Sequence, residues 1–324
     1  MAHVPKNPAI AMRDGVSPSC VALPRMKAPP WPTLLDYLAE RLAAVSRAEW
    51  QQRMEAGEVV GEDGQPLGAS HPYQNGARAY YWRSLPDEPE IPYYESVVFQ
   101  DEYLVVADKP HFLPVTPGGR YVQQTLLVRL KKALGLPNLS PLHRIDRETA
   151  GLVVFSVRPQ DRDAYQRLFR ERLIAKTYEA IAPACDRLDW PHTRRSHILE
   201  QEDAFYKMRE ALPHEGLSDN SETVIEAVER RGGWARYRLT PVTGKRHQLR
   251  VHMNALGLPL LGDQFYPRVL RRPGELEDYA EPLRLLARAM AFDDPVTGQR
   301  RQFESRLELA WPLGRLAMKS GTES

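Results

Sequence analysis

The chain has 324 residues, 42% of them hydrophobic and 27% charged, with 44 Lys and Arg against 42 Asp and Glu. That supplies apolar material for roughly two domains of about 150 residues and excludes a disordered or fibrous protein. A net charge of +2 is too mild to argue a nucleic-acid partner by itself, so local charge has to decide.

Cys20 and Cys185 lie far apart and outside any C-x-x-C pair, so neither a disulfide framework nor a zinc site is expected, and the protein reads as reduced and cytosolic. No run approaches the roughly 18 consecutive apolar residues of a membrane span. Seven prolines within the first 32 residues break both a secretory apolar stretch and an amphipathic transit helix, so residues 1–30 read as a flexible leader.

From Thr33 the pattern turns helical, with Leu34, Leu35, Leu38 and Leu42 on one face and Thr33 and Asp36 at capping-box spacing. Ser46 and Glu49 repeat that spacing ahead of Trp50 and Met54, and Gly57 ends a second helix. Val59-Val60 and Ala79 to Trp82 read as strands that complete a small unit over 31–85, and the Pro-rich stretch 86–94 reads as a linker. Strands are predicted at Val97 to Phe99, Tyr103 to Ala107, Leu152 to Phe155, Thr177 to Ile181, Val224 to Val228 and Trp234 to Leu239. Helices are predicted at Gln123 to Leu134, Pro159 to Leu173 and Lys245 to Leu256, and Asp293 to Gly298 reads as a turn between two late strands. The class is α+β, with a large domain over 95–315 and a tail over 316–324.

Residues 1–90 hold nine basic and eleven acidic side chains, so the basic excess belongs to the large domain. Arg230 to Gly262 contains no acidic residue, and Arg236 and Arg238 alternate with Ala235, Tyr237 and Leu239. One face of that strand would be basic and suited to phosphate, the plainer alternative being a solvated surface strand. In His143-Arg144-Ile145-Asp146-Arg147-Glu148-Thr149-Ala150-Gly151 one aspartate stands between two arginines just before an apolar strand. That setting suits a carboxylate working as nucleophile or charge stabiliser, the alternative being a structural ion pair in a turn. In Thr243 to His252, His247, Arg250 and Asn254 fall on one helical face while Leu249, Met253 and Leu256 take the other to the core. His247 and His252 lack the H-E-x-x-H spacing of zinc, so no metal is expected, and no glycine-rich nucleotide-binding or G-x-S-x-G motif occurs.

Taken in order, these segments resemble the RluA family of RNA pseudouridine synthases over roughly Val97 to Leu309. Asp108-Lys109-Pro110 resembles the family's opening Lys-Pro motif, and His143 to Gly151 its H-R-[LI]-D-x-x-T-[SA]-G signature. Lys176-Thr177-Tyr178 is similar to its K-x-Y element, and Pro241 to His252 with Gly262-Asp263-Gln264-Phe265-Tyr266 to its T-G-R-x-H-Q-[IL]-R-x-H…G-D-x-x-Y block. The sequence departs from the pattern at Ala150, often Ser; at Lys245, where Arg is usual; and at Leu286, which replaces the His of an L-H-A element.

The resemblance implies a pseudouridine synthase fold, a mixed and mainly antiparallel sheet flanked by helices, behind a small N-terminal unit loosely similar to an S4 domain. It implies an isomerase of uridine in ribosomal or transfer RNA that needs no cofactor and acts as a monomer on a structured stem-loop. Asp146 would be the catalytic aspartate, Tyr178 the group against the uracil that removes the C5 proton, and Arg250 the partner of Asp146. Arg144 would enter the space left by the flipped nucleotide. Arg147, Lys176, Arg236, Arg238, Lys245, Arg246, His247 and Gln248 would complete the RNA-binding set. The rival readings are a catalytically silent RNA-binding or ribosome-assembly factor, and a hydrolase that releases free uracil.

Overall fold

The computed structural model describes residues 7, 10–85, 88–202, 204–270, 275 and 277–312, and the chain divides into two units. The smaller comprises 1–89, 117–124 and 128–137, the larger 90–116, 125–127 and 138–324. The tail expected at 316–324 lies outside the described residues.

The smaller unit is built from β1 (Ser19–Ala22), α1 (Leu34–Arg41), α2 (Arg47–Glu55), β2 (Val59–Val60) and β3 (Arg78–Tyr81), with sheet order β1-β3-β2. α1 starts where the sequence places it: the Thr33 hydroxyl accepts from the Asp36 N–H while the Asp36 carboxylate accepts from the Thr33 N–H. Ser46 caps α2 with a single bond, its hydroxyl accepting from the Glu49 N–H, while the Glu49 carboxylate turns to Arg53. The buried faces join Leu34, Leu35, Tyr37 and Leu38 to Trp50 and Met54 in one apolar cluster.

The expected flexible leader is corrected here. Ser19–Ala22 pair antiparallel with Arg78–Tyr81, and Leu23 joins the core of the unit. The apolar residues between Pro18 and Pro24 are enough for an edge strand, and the prolines punctuate it rather than prevent it. Residues 117–124 and 128–137, which the sequence assigns to the large domain, cluster with the smaller unit. There Val122 and Val128 pack on Val16, and the Glu88 carboxylate accepts the backbone N–H groups of Val122, Gln123 and Gln124.

The larger unit takes its strands from β4 (Ser96–Gln100), β5 (Leu104–Lys109), β6 (Ser140–Pro141), β7 (Ala150–Ser156), β8 (Ala175–Pro183), β9 (His192–Ser196), β10 (Ile198–Gln201), β11 (Ala204–Glu210), β12 (Ser221–Arg231), β13 (Trp234–Pro241), β14 (Leu285–Asp293) and β15 (Arg300–Glu304). The main sheet runs β4-β5-β7-β14-β8-β13-β12-β9, with β6 on β7 and β15 on β14, and β10-β11 form a separate pair. Its pairings are antiparallel except β7 with β14, which is parallel, so the sheet is mixed and the class α+β, as the sequence implies. At that parallel pairing a Cβ on Gly151 (φ +108°) would sit 2.4 Å from the Ala287 carbonyl oxygen, which is why glycine stands there.

The remaining helices are α3 (Leu126–Leu134), whose residues from Val128 on cluster with the smaller unit, and α4 (Arg162–Arg170) and α5 (Gln248–Ala255) of the larger one. Each is shorter than its sequence pattern. α4 follows a 3₁₀ turn at Pro159–Asp161. α5 starts three residues after the expected Lys245 because His247 is left-handed, at φ +55°. One apolar cluster lies under α5, where Leu249 and Met253 meet Tyr237, Leu239 and Ile225, and a second under α4, where Tyr165 and Leu168 meet Leu152, Val154 and Phe292. Among the described residues no helix is long and apolar enough to cross a membrane.

Candidate active site

The loop between β6 and β7 lines a cleft of about 1060 Å³ with Arg144, Asp146 and Arg147, just above the roughly 300–1,000 Å³ usual for small-molecule pockets. The cleft is lined by residues of this loop together with Arg170, Arg172, Lys176, Tyr178, Lys245, Arg246, His247 and Arg250. Several buried groups fix the loop. Lys109, at the end of β5, donates its ammonium to the carbonyls of Pro110 and Arg147, both at 2.9 Å. Burial pushes its pKa down to about 7. His111 Nδ1 donates to the Glu148 carbonyl at 2.8 Å, and His143 Nε2 accepts the Val154 N–H at 3.1 Å, so the start and end of the loop are both tied to the sheet.

Arg250 is the hub. It is 1% exposed; its Nε and Nη2 donate to the two oxygens of Asp263 at 2.9 and 2.7 Å, and its Nη1 reaches Asp146 Oδ2 at 3.3 Å. Glu148 stands 3.8 Å from the same Nη1. Burial opposes the Arg250 charge, but the bonds to Asp263 and the charges of Asp146 and Glu148 raise its pKa overall. Glu148 is held at about 2: burial would raise it, and Arg147 and Arg250 more than offset that. Asp263 also accepts the N–H groups of Phe265 and Tyr266, so the guanidinium is held by a carboxylate that is itself fixed.

Tyr178 projects into the cleft from β8, and burial followed by the charge of Asp146 raises its pKa, so the phenol keeps its proton. His247 Nδ1 lies 3.0 Å from the Tyr266 hydroxyl and its Nε2 3.9 Å from Asp146 Oδ2. The Tyr266 hydroxyl gives its proton to the Met208 carbonyl, so His247 Nδ1 is the donor of that pair.

The structure thus brings Asp146, Tyr178 and Arg250 together, with Arg144, Lys176, Lys245, Arg246 and His247 around them. Gln248 turns inward, where its amide bonds Thr243, Lys245 N, Glu222 O and Thr223. Arg147 is engaged by Glu148 and Glu277. Arg236 and Arg238 are not among the residues lining the cleft. Arg238 pairs with Glu226 at 3.0 Å, and Arg236 lies within 4 Å of Glu179, Glu229 and Glu308. Carboxylates of neighbouring segments answer the arginine charge that looked unpartnered along Arg230 to Arg238. Asp263, Glu148 and Lys109 were quoted in the motifs without a role, since their partners lie 13, 102 and 38 residues away. Among the described residues no group of three or more His, Cys, Asp or Glu is placed to hold a metal ion.

Comparison with known proteins identifies the class. The fold is shared with solved pseudouridylate synthases: the human RNA pseudouridylate synthase domain containing 1 superposes with a TM-score of 0.54 at 21% identity, covering 67% of this chain and 85% of that one. The human RNA pseudouridylate synthase domain containing 4 gives 0.50 at 26% identity, over 66% and 88%. A family model described as RNA pseudouridylate synthase matches residues 103–255. An uncharacterised RNA pseudouridine synthase of Synechocystis is 34% identical over 72% of this chain and 79% of its own length. The dual-specificity RNA pseudouridine synthase RluA of Haemophilus influenzae is 31% identical over 67% and 95%. The chain belongs to the RluA-type family of RNA pseudouridine synthases, isomerases that convert uridine in RNA to pseudouridine.

Proposed function

We propose that the protein isomerises particular uridines of ribosomal or transfer RNA with Asp146 as the catalytic aspartate. The observation that carries this reading is the guanidinium of Arg250, clamped by Asp263 and directed at Asp146 Oδ2 from 3.3 Å on the floor of the cleft. A guanidinium fixed before substrate arrives orients the Asp146 carboxylate without reorganising during the reaction. In support, several relatives named RluA carry the description dual-specificity, which suits more than one RNA target.

The isomerisation breaks the N1–C1′ bond, turns the uracil and forms a C5–C1′ bond; C5 loses a proton and N1 gains one. Asp146 acts on the reacting nucleotide, and the flipped base lies against Tyr178. Because its phenol is held protonated, Tyr178 takes the C5 proton only as it releases its own, which goes to N1 of the turned uracil, so the net transfer is from C5 to N1. Arg144, exposed at the edge of the cleft, fills the space the base leaves.

Pseudouridine mapping by carbodiimide-dependent reverse-transcription stops, in a deletion strain complemented with wild type or Asp146→Asn, tests this. Loss of a signal restored by wild type alone is expected, with RNA affinity of Asp146→Asn within a few-fold. Restoration by Asp146→Asn, or no lost signal, favours the silent RNA-binding factor, and release of free uracil favours the hydrolase.

A further inference from the structure

Arg147, Arg246 and Arg250 line the cleft with carboxylates beside them, but three other cations of its lining have no counter-charge. Arg194, Arg209, Arg238, Arg288 and Arg301 each stand within 3.0 Å of a carboxylate. Among the described residues no carboxylate lies within 4 Å of the Arg172, Lys176 or Lys245 side chains, all three of which line the cleft.

Arg172 occupies an unusual backbone position. α4 closes with the Leu173 N–H on the Leu168 carbonyl at 2.8 Å and the Arg172 N–H on the Phe169 carbonyl at 3.3 Å. In this closing pattern the left-handed residue is commonly glycine, and here it is Arg172 at φ +60°. An arginine therefore stands where glycine would fit with less strain, and the strain sits at the cleft. The helix end is anchored there, since Phe169 stacks on His143 with ring centroids 4.6 Å apart. Lys176, four residues on at the start of β8, is half-buried, and its Nζ lies 3.9 Å from where a Cβ on Gly244 would stand, beside the turn that carries Lys245. Burial and then the like charge of Arg172 lower the Lys176 pKa, and no acidic group relieves either effect. The half-buried Lys176 and the exposed Arg172 beside it are like charges without a counter-ion on the cleft wall, an arrangement that an anion completes.

We propose that Arg172 and Lys176, with Lys245 across the Gly244 turn, form a phosphate site that grips the RNA backbone along the α4 wall of the cleft. The ligand is a phosphodiester of the substrate, so the inference rests on the RNA reading above. Arg172 supplies a planar two-handed donor and Lys176 a point charge, which together fix the strand while the base is turned into the floor.

The substitution that isolates this role is Arg172→Gly, which removes the charge and keeps the left-handed cap. The probe is a fluorescein-labelled short RNA stem-loop with a uridine-containing loop, titrated by fluorescence anisotropy between 50 and 250 mM KCl. Arg172→Gly is expected to bind roughly tenfold more weakly at low salt. The slope of log affinity against log salt should become shallower by about 0.7–0.9, the loss of one phosphate contact. The melting midpoint should be equal or higher, because strain is relieved, and Arg172→Lys should keep most of the slope. Wild-type affinity and slope in Arg172→Gly overturn the proposal, as does weaker binding with an unchanged slope, which marks a structural effect. Binding is read without turnover, so a wild-type enzyme that makes no pseudouridine in transcripts defeats the functional reading and leaves this result separately legible.

Discussion

Arg250 shows how one side chain sets up a site. Its charge is buried and faces three carboxylates, Asp263, Asp146 and Glu148, but only Asp263 takes it two-handed. Removing one partner of such a pair leaves an unmatched buried charge and costs about 3–5 kcal/mol. Asp263→Asn keeps the shape and removes the charge, so it should lose about 3 kcal/mol in urea unfolding, at the low end of that range. In single-turnover assays its rate should fall at least tenfold while the RNA concentration giving half-maximal rate changes little, because Asp263 is fully buried away from the RNA. An unchanged rate would mean that Arg250 keeps its aim at Asp146 without this clamp. The meeting of Asp146 and Arg250 is implied by the family resemblance, because both stand inside its short motifs. The clamp is not, because nothing local in Gly262-Asp263 says that its carboxylate turns back to α5.

At the scale of elements, the cleft depends on one parallel pairing in an otherwise antiparallel sheet. β7 receives the loop that carries Asp146, and Leu286 and Ala287 of β14 lie beside Ala150 and Gly151. A Cβ at Gly151 would meet the Ala287 carbonyl oxygen at 2.4 Å and its nitrogen at 2.7 Å, both backbone atoms within the sheet. Gly151→Ala therefore has to part the two strands and also hold φ at +108°. We expect a loss of about 3 kcal/mol from overpacking and the left-handed backbone together, seen as a lower urea midpoint, and displacement of the loop that begins β7. Wild-type stability would show that β7 and β14 separate without cost. β4, β5, β7, β8, β12 and β13 all lie where apolar runs place them in the sequence. β9 was missed because His192-Thr-Arg-Arg-Ser196 has no apolar alternation; it is a strand through pairing of its backbone with β12. β1 was missed for a related reason, since prolines on both sides of a four-residue edge strand read as a leader.

At the scale of the whole molecule, the buried titratable groups bias stability toward one side of neutrality. Burial lowers His111 and His252 to about 4 and His143 to about 3, and each is fixed by hydrogen bonds made from within the fold. In the unfolded chain these rings take up a proton near pH 6.5, so below that value the unfolded state binds protons that the native state refuses. The stability they contribute is complete above pH 6.5 and is lost as pH falls from there toward 3–4. Glu148, held at about 2 by Arg147 and Arg250, adds a second loss as pH falls from about 4.5. Lys109 acts on the other side: its native pKa of about 7 lies below the unfolded value, so stability rises as pH climbs from 7 toward 10.5. The three effects share one direction, and the urea midpoint should climb from pH 4 through 8. The decisive interval is pH 7 to 5, above the range in which unperturbed carboxylates titrate. A midpoint that is flat there would mean that the three histidines are protonated in the native state. That in turn would require water or a counter-charge beside His143 and a break in its bond to Val154, and so a looser attachment of the loop that carries Asp146.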